Sequence, residues 1–219
     1  MPVKVGLQYI DLWQESMEEV VCEKEKEVYP EGQIVFYGPS YFTRWRREKY
    51  GNTPMREALL GKSGAECVVN RGFGSSCSEH QLYYYPRMVR PLKPSVLVYE
   101  CAGNGGAFGY TPEEIWEIAQ RVIVYALTDF PGIRIYLCGP HMKRDETEES
   151  LARKRIFEKF EREFAEKTEN VFYLDILGYE PLSGRKDIFV EDGVHYNHLG
   201  YEIYGEMFRQ MLKVELDKF

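Results

Sequence analysis

No apolar stretch in this chain of 219 residues approaches the length of a membrane span. The opening MPVKVGLQYIDLWQE has no long apolar centre and soon turns acidic, so it does not read as a secretory signal. Basic charge is scarce: 28 Lys and Arg stand against 35 Asp and Glu, a net charge of -7. Nucleic-acid binders show a basic footprint, and the few basic runs here, such as Arg44–Lys49, are short and local. Neither a nucleic acid nor a membrane is therefore expected as a partner. CxxC pairs are absent. The five cysteines, Cys22, Cys67, Cys77, Cys101 and Cys138, are odd in number and widely spaced. That pattern fits reduced thiols in the cytoplasm better than a disulfide framework or a zinc site. Repeats, low-complexity tracts and Ser/Gly-rich linkers are missing as well. A single domain over 1–219 is expected, with 1–30 as an N-terminal helical extension packed on it.

What is there suits a folded chain. Hydrophobic residues make up 44% and aromatics 15%, enough for a core and too much for disorder. Five short apolar runs bounded by Gly, Pro or Asn read as buried strands: Gln33–Tyr37, Glu66–Asn70, Ser95–Cys101, Arg134–Cys138 and Asn170–Asp175. Helical patterns alternate with them. One covers Asp11 to Glu27. Another starts at Thr111-Pro112-Glu113-Glu114, where Thr111 caps, Pro112 suits the first turn and Glu114 completes a capping box. A third runs from Glu148 to Glu166 with Leu151, Phe157, Phe160 and Phe164 on its apolar side, and its charged side reads as a solvated face. The last begins near Asn197 and should turn Leu199, Ile203, Met207, Met211 and Leu212 inward. Alternation of this kind predicts an α/β fold: a three-layer α/β/α arrangement around a five-stranded parallel sheet.

In such a sheet ligands bind beyond the carboxyl ends of the strands, so the loops there carry the chemistry. Ser40, after Gly38-Pro39, is placed either as a nucleophile or as a simple helix cap. The glycines of Asn70–Ser76 either aim backbone N–H groups at a ligand or make a tight turn. Asn104, between Gly103 and Gly105, is either an amide donor above the sheet or a turn residue. Asp192 and His195, three apart, either orient each other or occupy a surface turn. Together the four loops contain a nucleophile, a base, its orienting carboxylate and oxyanion donors, the parts of an acyl-transfer site.

Nucleotide loops fail on spacing. From Gly103 a G-x-G-x-x-G pattern needs glycine where Phe108 stands, and a phosphate loop ending in Gly61-Lys62-Ser63 needs glycine at Arg56. Metal motifs and a carboxylate pair for glycoside cleavage are also missing. No cofactor and no metal are expected. His141 reads as a loop residue near the site, His80 and His198 as surface or helix-cap groups, and Arg44 and Trp45 as anchors of the helix after Ser40.

On these four blocks the chain resembles the SGNH hydrolases, the GDSL-type esterases and lipases. VFYGPSYFTRW, VVNRGFGSS, Gly103-Asn104 and FVEDGVHYNHLGY follow the family's order, from about Gln33 to Leu212. The GxSxG elbow of the α/β-hydrolases is absent, since Tyr41-Phe42 follows Ser40. The resemblance implies a flavodoxin-like sheet and a short-chain (acetyl-type) serine esterase acting on a small molecule, sugar or lipid. It implies Ser40 as nucleophile, His195 as base and Asp192 as its orienting partner. It also implies oxyanion donors from the Ser40 backbone, the Gly74–Ser75 segment and the Asn104 amide. The departures are Pro39 before the nucleophile, Ser75 for a usual Gly, and Gly105 for the Asp that commonly braces the Asn loop. They motivate two alternatives: a catalytically degenerate binding module, or an acyltransferase using the same residues. An acidic surface with exposed aromatics permits a homodimer.

Overall fold

The architecture is that of a computed structural model, which describes residues 10–11 and 14–219. Five strands, β1 (Ile34–Gly38), β2 (Val68–Gly72), β3 (Val96–Tyr99), β4 (Arg134–Cys138) and β5 (Val171–Leu174), form one sheet. The spatial order is β2-β1-β3-β4-β5, and every pairing is parallel. This is the flavodoxin-like order of doubly wound sheets. Because side chains alternate across a strand, each strand feeds two cores. Val35, Tyr37, Leu97, Tyr99, Ile135 and Leu137 enter one cluster, while Ile34, Phe36, Val96, Val98, Tyr136 and Cys138 enter the other.

The first core is covered by α1 (Gln14–Glu25), α4 (Ser78–Met88), α5 (Pro112–Asp129) and α6 (Glu148–Lys167). The second is covered by α2 (Ser40–Thr43), α3 (Met55–Ala58), α7 (His198–Met211) and α8 (Lys213–Leu216). Thr111 caps α5 through the expected box: its hydroxyl accepts from Glu114 N, and the Glu114 carboxylate accepts from Thr111 N. Of the expected N-terminal helix, Gln14–Glu25 is observed, and residues 12–13 lie outside the described part. It packs on α4 through Met17 and Val21, with Arg87 reaching Glu18 and Glu25.

Several expectations shift. The second strand runs on to Gly72, so Asn70 lies within the sheet opposite Phe36 rather than starting a loop. Of the residues expected inward on the last helix, Leu199 is exposed, Met207 and Leu212 are buried, and Ile203 and Met211 pack partly buried against the core, where Tyr201, Tyr204 and Phe208 join them. The two tyrosines pack with Trp45, while Phe208 meets Phe36 edge-on. The charged side of α6 is not wholly solvated: Glu158 is buried between Arg155 and Arg162, and Glu161 is buried beside the Cys101 thiol. His80 is a helix-cap group as expected but is fully buried, accepting from Cys77 N at 3.3 Å.

Candidate active site

The carboxyl ends of β1, β2 and β3 open on one cavity of about 900 Å³. Ser40 enters it directly after β1 and Pro39. The helix it starts is a single turn, so its N-terminal dipole beside the Ser40 hydroxyl is small. Sterics fix this loop against its neighbours. A Cβ at Gly72 would sit 2.5 Å from Thr43 N, and one at Gly103 would sit 2.7 Å from Pro39 Cγ. Only glycine allows the three loops to approach so closely.

His195 arrives from the far end of the chain, 155 residues away, and its Nε2 lies 2.7 Å from Ser40 Oγ. Its Nδ1 lies 2.7 Å from Asp192 Oδ2. The other Asp192 oxygen accepts the N–H groups of Val194 and His195, both at 2.9 Å, so the turn itself holds the carboxylate. Burial raises the Asp192 pKa, but those N–H groups and the imidazole outweigh it and bring the group down to about 2. Asp192 is therefore ionised at neutral pH. His195 is shifted below its usual value: burial dominates, the Arg44 cation adds to it, and Asp192 opposes both. Its imidazole is neutral at neutral pH and free to accept a proton at Nε2. Arg44 does more than anchor its helix, since its Nη1 lies 3.3 Å from Asp192 Oδ2.

Gly74, Ser75 and Asn104 line the same cavity as Ser40. Ser75 stands at φ 62 and Asn104 at φ 42, both in the left-handed region. The Asn104 amide donates to Ser76 O at 2.9 Å, which ties the third loop to the second and leaves its other N–H available. The second loop thus braces the Asn104 loop although Gly105 carries no side chain. A Cβ at Gly105 would lie 2.7 Å from Ile115 Cγ1, so the packing of α5 excludes a larger residue there.

Two residues were underrated from sequence. His141 is buried and stacks on Tyr41, with centroids 3.6 Å apart. Glu100, 2% exposed, lines the cavity just beyond β3. Its signal was a lone acid inside the apolar run SVLVYEC. His198 is exposed and pairs with Glu202, as expected of a surface group.

The sequence matches no protein-family model and no curated protein sequence. Solved structures do resemble it. One from Streptococcus pneumonia, described as a platelet activating factor, has 17% identity and a TM-score of 0.71, covering 95% of this chain and 97% of its own. A GDSL-like lipase from Parabacteroides merdae has 18% identity and a TM-score of 0.69, covering 86% and 98%. Axe2, an acetyl-xylooligosaccharide esterase from Geobacillus, has 15% identity and a TM-score of 0.64, covering 83% and 94%. The chain therefore has the fold of the SGNH hydrolases, the class of GDSL-like lipases and acylhydrolases.

Proposed function

We propose that this protein is a serine hydrolase of carboxylic esters that works through an acyl-enzyme. The observation that carries the reading is the unbroken chain from Ser40 Oγ to His195 Nε2 and from His195 Nδ1 to Asp192, each link 2.7 Å. Ser40 Oγ attacks the ester carbonyl carbon as its proton passes to His195 Nε2. The carbonyl oxygen becomes an oxyanion held by backbone N–H groups of Ser40 and of Gly74 or Ser75, and by the Asn104 amide. The C–O bond of the ester breaks, and His195 returns the proton to the departing alcohol. Water then repeats the sequence on the acyl-enzyme, releasing the acid and restoring Ser40. Asp192 remains ionised and stabilises the imidazolium in both halves.

The acetyl chemistry of one structural neighbour supports testing short acyl groups first. All five cysteines are free thiols, which supports a reducing compartment such as the cytoplasm. The test is hydrolysis of p-nitrophenyl acetate and butyrate by wild type and Ser40→Ala, with a fluorophosphonate label on both. Turnover and labelling that vanish in Ser40→Ala are expected. A folded wild type that neither turns over nor labels would overturn the proposal.

A further inference from the structure

Three nearly buried polar side chains line the cavity beside Ser40 without a part in the hydrolytic steps. Glu100 follows β3, His141 follows β4, and Lys154 lies on α6. The Glu100 and His141 side chains are 2% and 3% exposed, and that of Lys154 is 17%. Lys154 is matched by Glu146. Both ring nitrogens of His141 are occupied, Nδ1 by the Tyr196 hydroxyl at 3.2 Å and Nε2 by the Tyr204 hydroxyl at 3.3 Å. Glu100 is different. Its Oε2 is buried with no hydrogen-bond partner among the described residues, and His141 Nε2, at 3.7 Å, is too far to be one. A buried polar atom without a partner is costly, and one at the wall of a reaction cavity marks a place for a ligand group.

Burial pushes the Glu100 pKa up to about 8, so at neutral pH the carboxyl is protonated. It then offers one O–H donor and a carbonyl acceptor. A hydroxylated group satisfies both. An alkyl chain in the same place strips water from Glu100 and Lys154 and returns no hydrogen bond.

Position decides which half of the ester meets this wall. Tyr41 stacks on His141, and its hydroxyl donates to Val194 O, next to His195. His141 therefore lies on the His195 side of the nucleophile, and Glu100, with Oε2 3.7 Å from His141 Nε2, lies between that side and Gly103 of the Asn104 loop. His195 is the group that protonates the departing alcohol. We propose that Glu100, flanked by His141 and Lys154, forms a polar subsite for the alcohol half of the ester, and that this alcohol is a sugar or other polyol with free hydroxyls near the ester. The proposal rests on the hydrolase reading above.

The groups around Glu100 do not compete with it near neutrality. The hydroxyls of Tyr41, Tyr196, Tyr201 and Tyr204 and the thiols of Cys101 and Cys138 are all raised by burial. Burial also raises Glu161 and lowers His141, so both are neutral. Lys154 is lowered by burial but supported by Glu146.

The test compares glycerol monoacetate and xylose monoacetate with propyl and pentyl acetate, each pair matched in carbon number, with p-nitrophenyl acetate as the common reference. At neutral pH the polyol esters should lead by about tenfold or more in kcat/KM. Relative to p-nitrophenyl acetate, that lead should grow above about pH 8, through KM, as Glu100 ionises and its carboxylate accepts charge-assisted hydrogen bonds from the substrate hydroxyls. Glu100→Gln keeps a neutral donor and acceptor, so it should keep the lead and lose its alkaline rise. Glu100→Leu should lose the lead. Equal rates for the matched esters, or a lead that persists in folded Glu100→Leu, would overturn the proposal. The wild-type comparison and its pH dependence stand even if Glu100→Leu fails to fold. Turnover of p-nitrophenyl acetate without polyol preference would sink the subsite alone. Absence of all turnover and of Ser40 labelling would sink the hydrolase reading with it.

Discussion

At the residue scale, Arg44 sits where two effects on His195 meet. Asp192 favours the imidazolium, while burial and Arg44 disfavour it, and the net shift is downward. A base that must be neutral loses activity as pH falls through its pKa, so the acid limb of kcat/KM should lie below the ordinary histidine value of 6.5. Arg44→Gln removes one depressing charge, and its acid limb should move to higher pH in a pH–rate profile. Ser75 adopts φ 62, a conformation that costs a side-chain-bearing residue about 1 kcal/mol. Ser75→Gly should therefore raise stability by about 0.5–1 kcal/mol in urea titration, with the second loop unchanged in position. Ser40, Asp192 and His195 were legible as a set because each follows a strand or precedes a helix in its own motif. Glu100 and His141 were not, because their meaning lies in burial and in contact across β3 and β4, which sequence spacing does not carry.

At the element scale, the strands and the α5 cap were readable because apolar runs and the capping box are local signals. The apolar stripe of α7 is legible in Ile203, Met207 and Met211, but not the inward tyrosines Tyr201 and Tyr204, whose rings pack with Trp45 in the second core. The Asn104 loop is set by packing between elements. Ile115 of α5 fills the space a side chain at Gly105 would need, and Ser76 O holds the Asn104 amide. Gly105→Ala should displace that loop. The expected result is a loss of about 1–3 kcal/mol in stability and a fall in kcat larger than any change in KM. An unaltered kcat would show that the loop absorbs the methyl group.

At the scale of the whole molecule, α8 is fastened to the sheet through one buried acid. Glu215, fully buried, accepts from Arg134 and Tyr136 of β4 and from Lys218. Burial opposes its ionisation, but those three donors win, and its pKa lies below the ordinary glutamate value of 4.5. The stabilisation is therefore present above pH 4.5 and fades as pH falls through the lower folded value. Glu215→Ala should cost about 1–3 kcal/mol at neutral pH, and the gap from wild type should narrow in acid. Thermal melts at both pH values test this.

The separation of 155 positions between Ser40 and His195 also has a consequence for biogenesis. During synthesis the nucleophile leaves the ribosome long before its base. The first three strands and both donor loops can assemble while the hydroxyl still has no proton acceptor. The proposed ester hydrolysis would then begin only when the last helical segment docks, so a stalled or truncated chain would be silent.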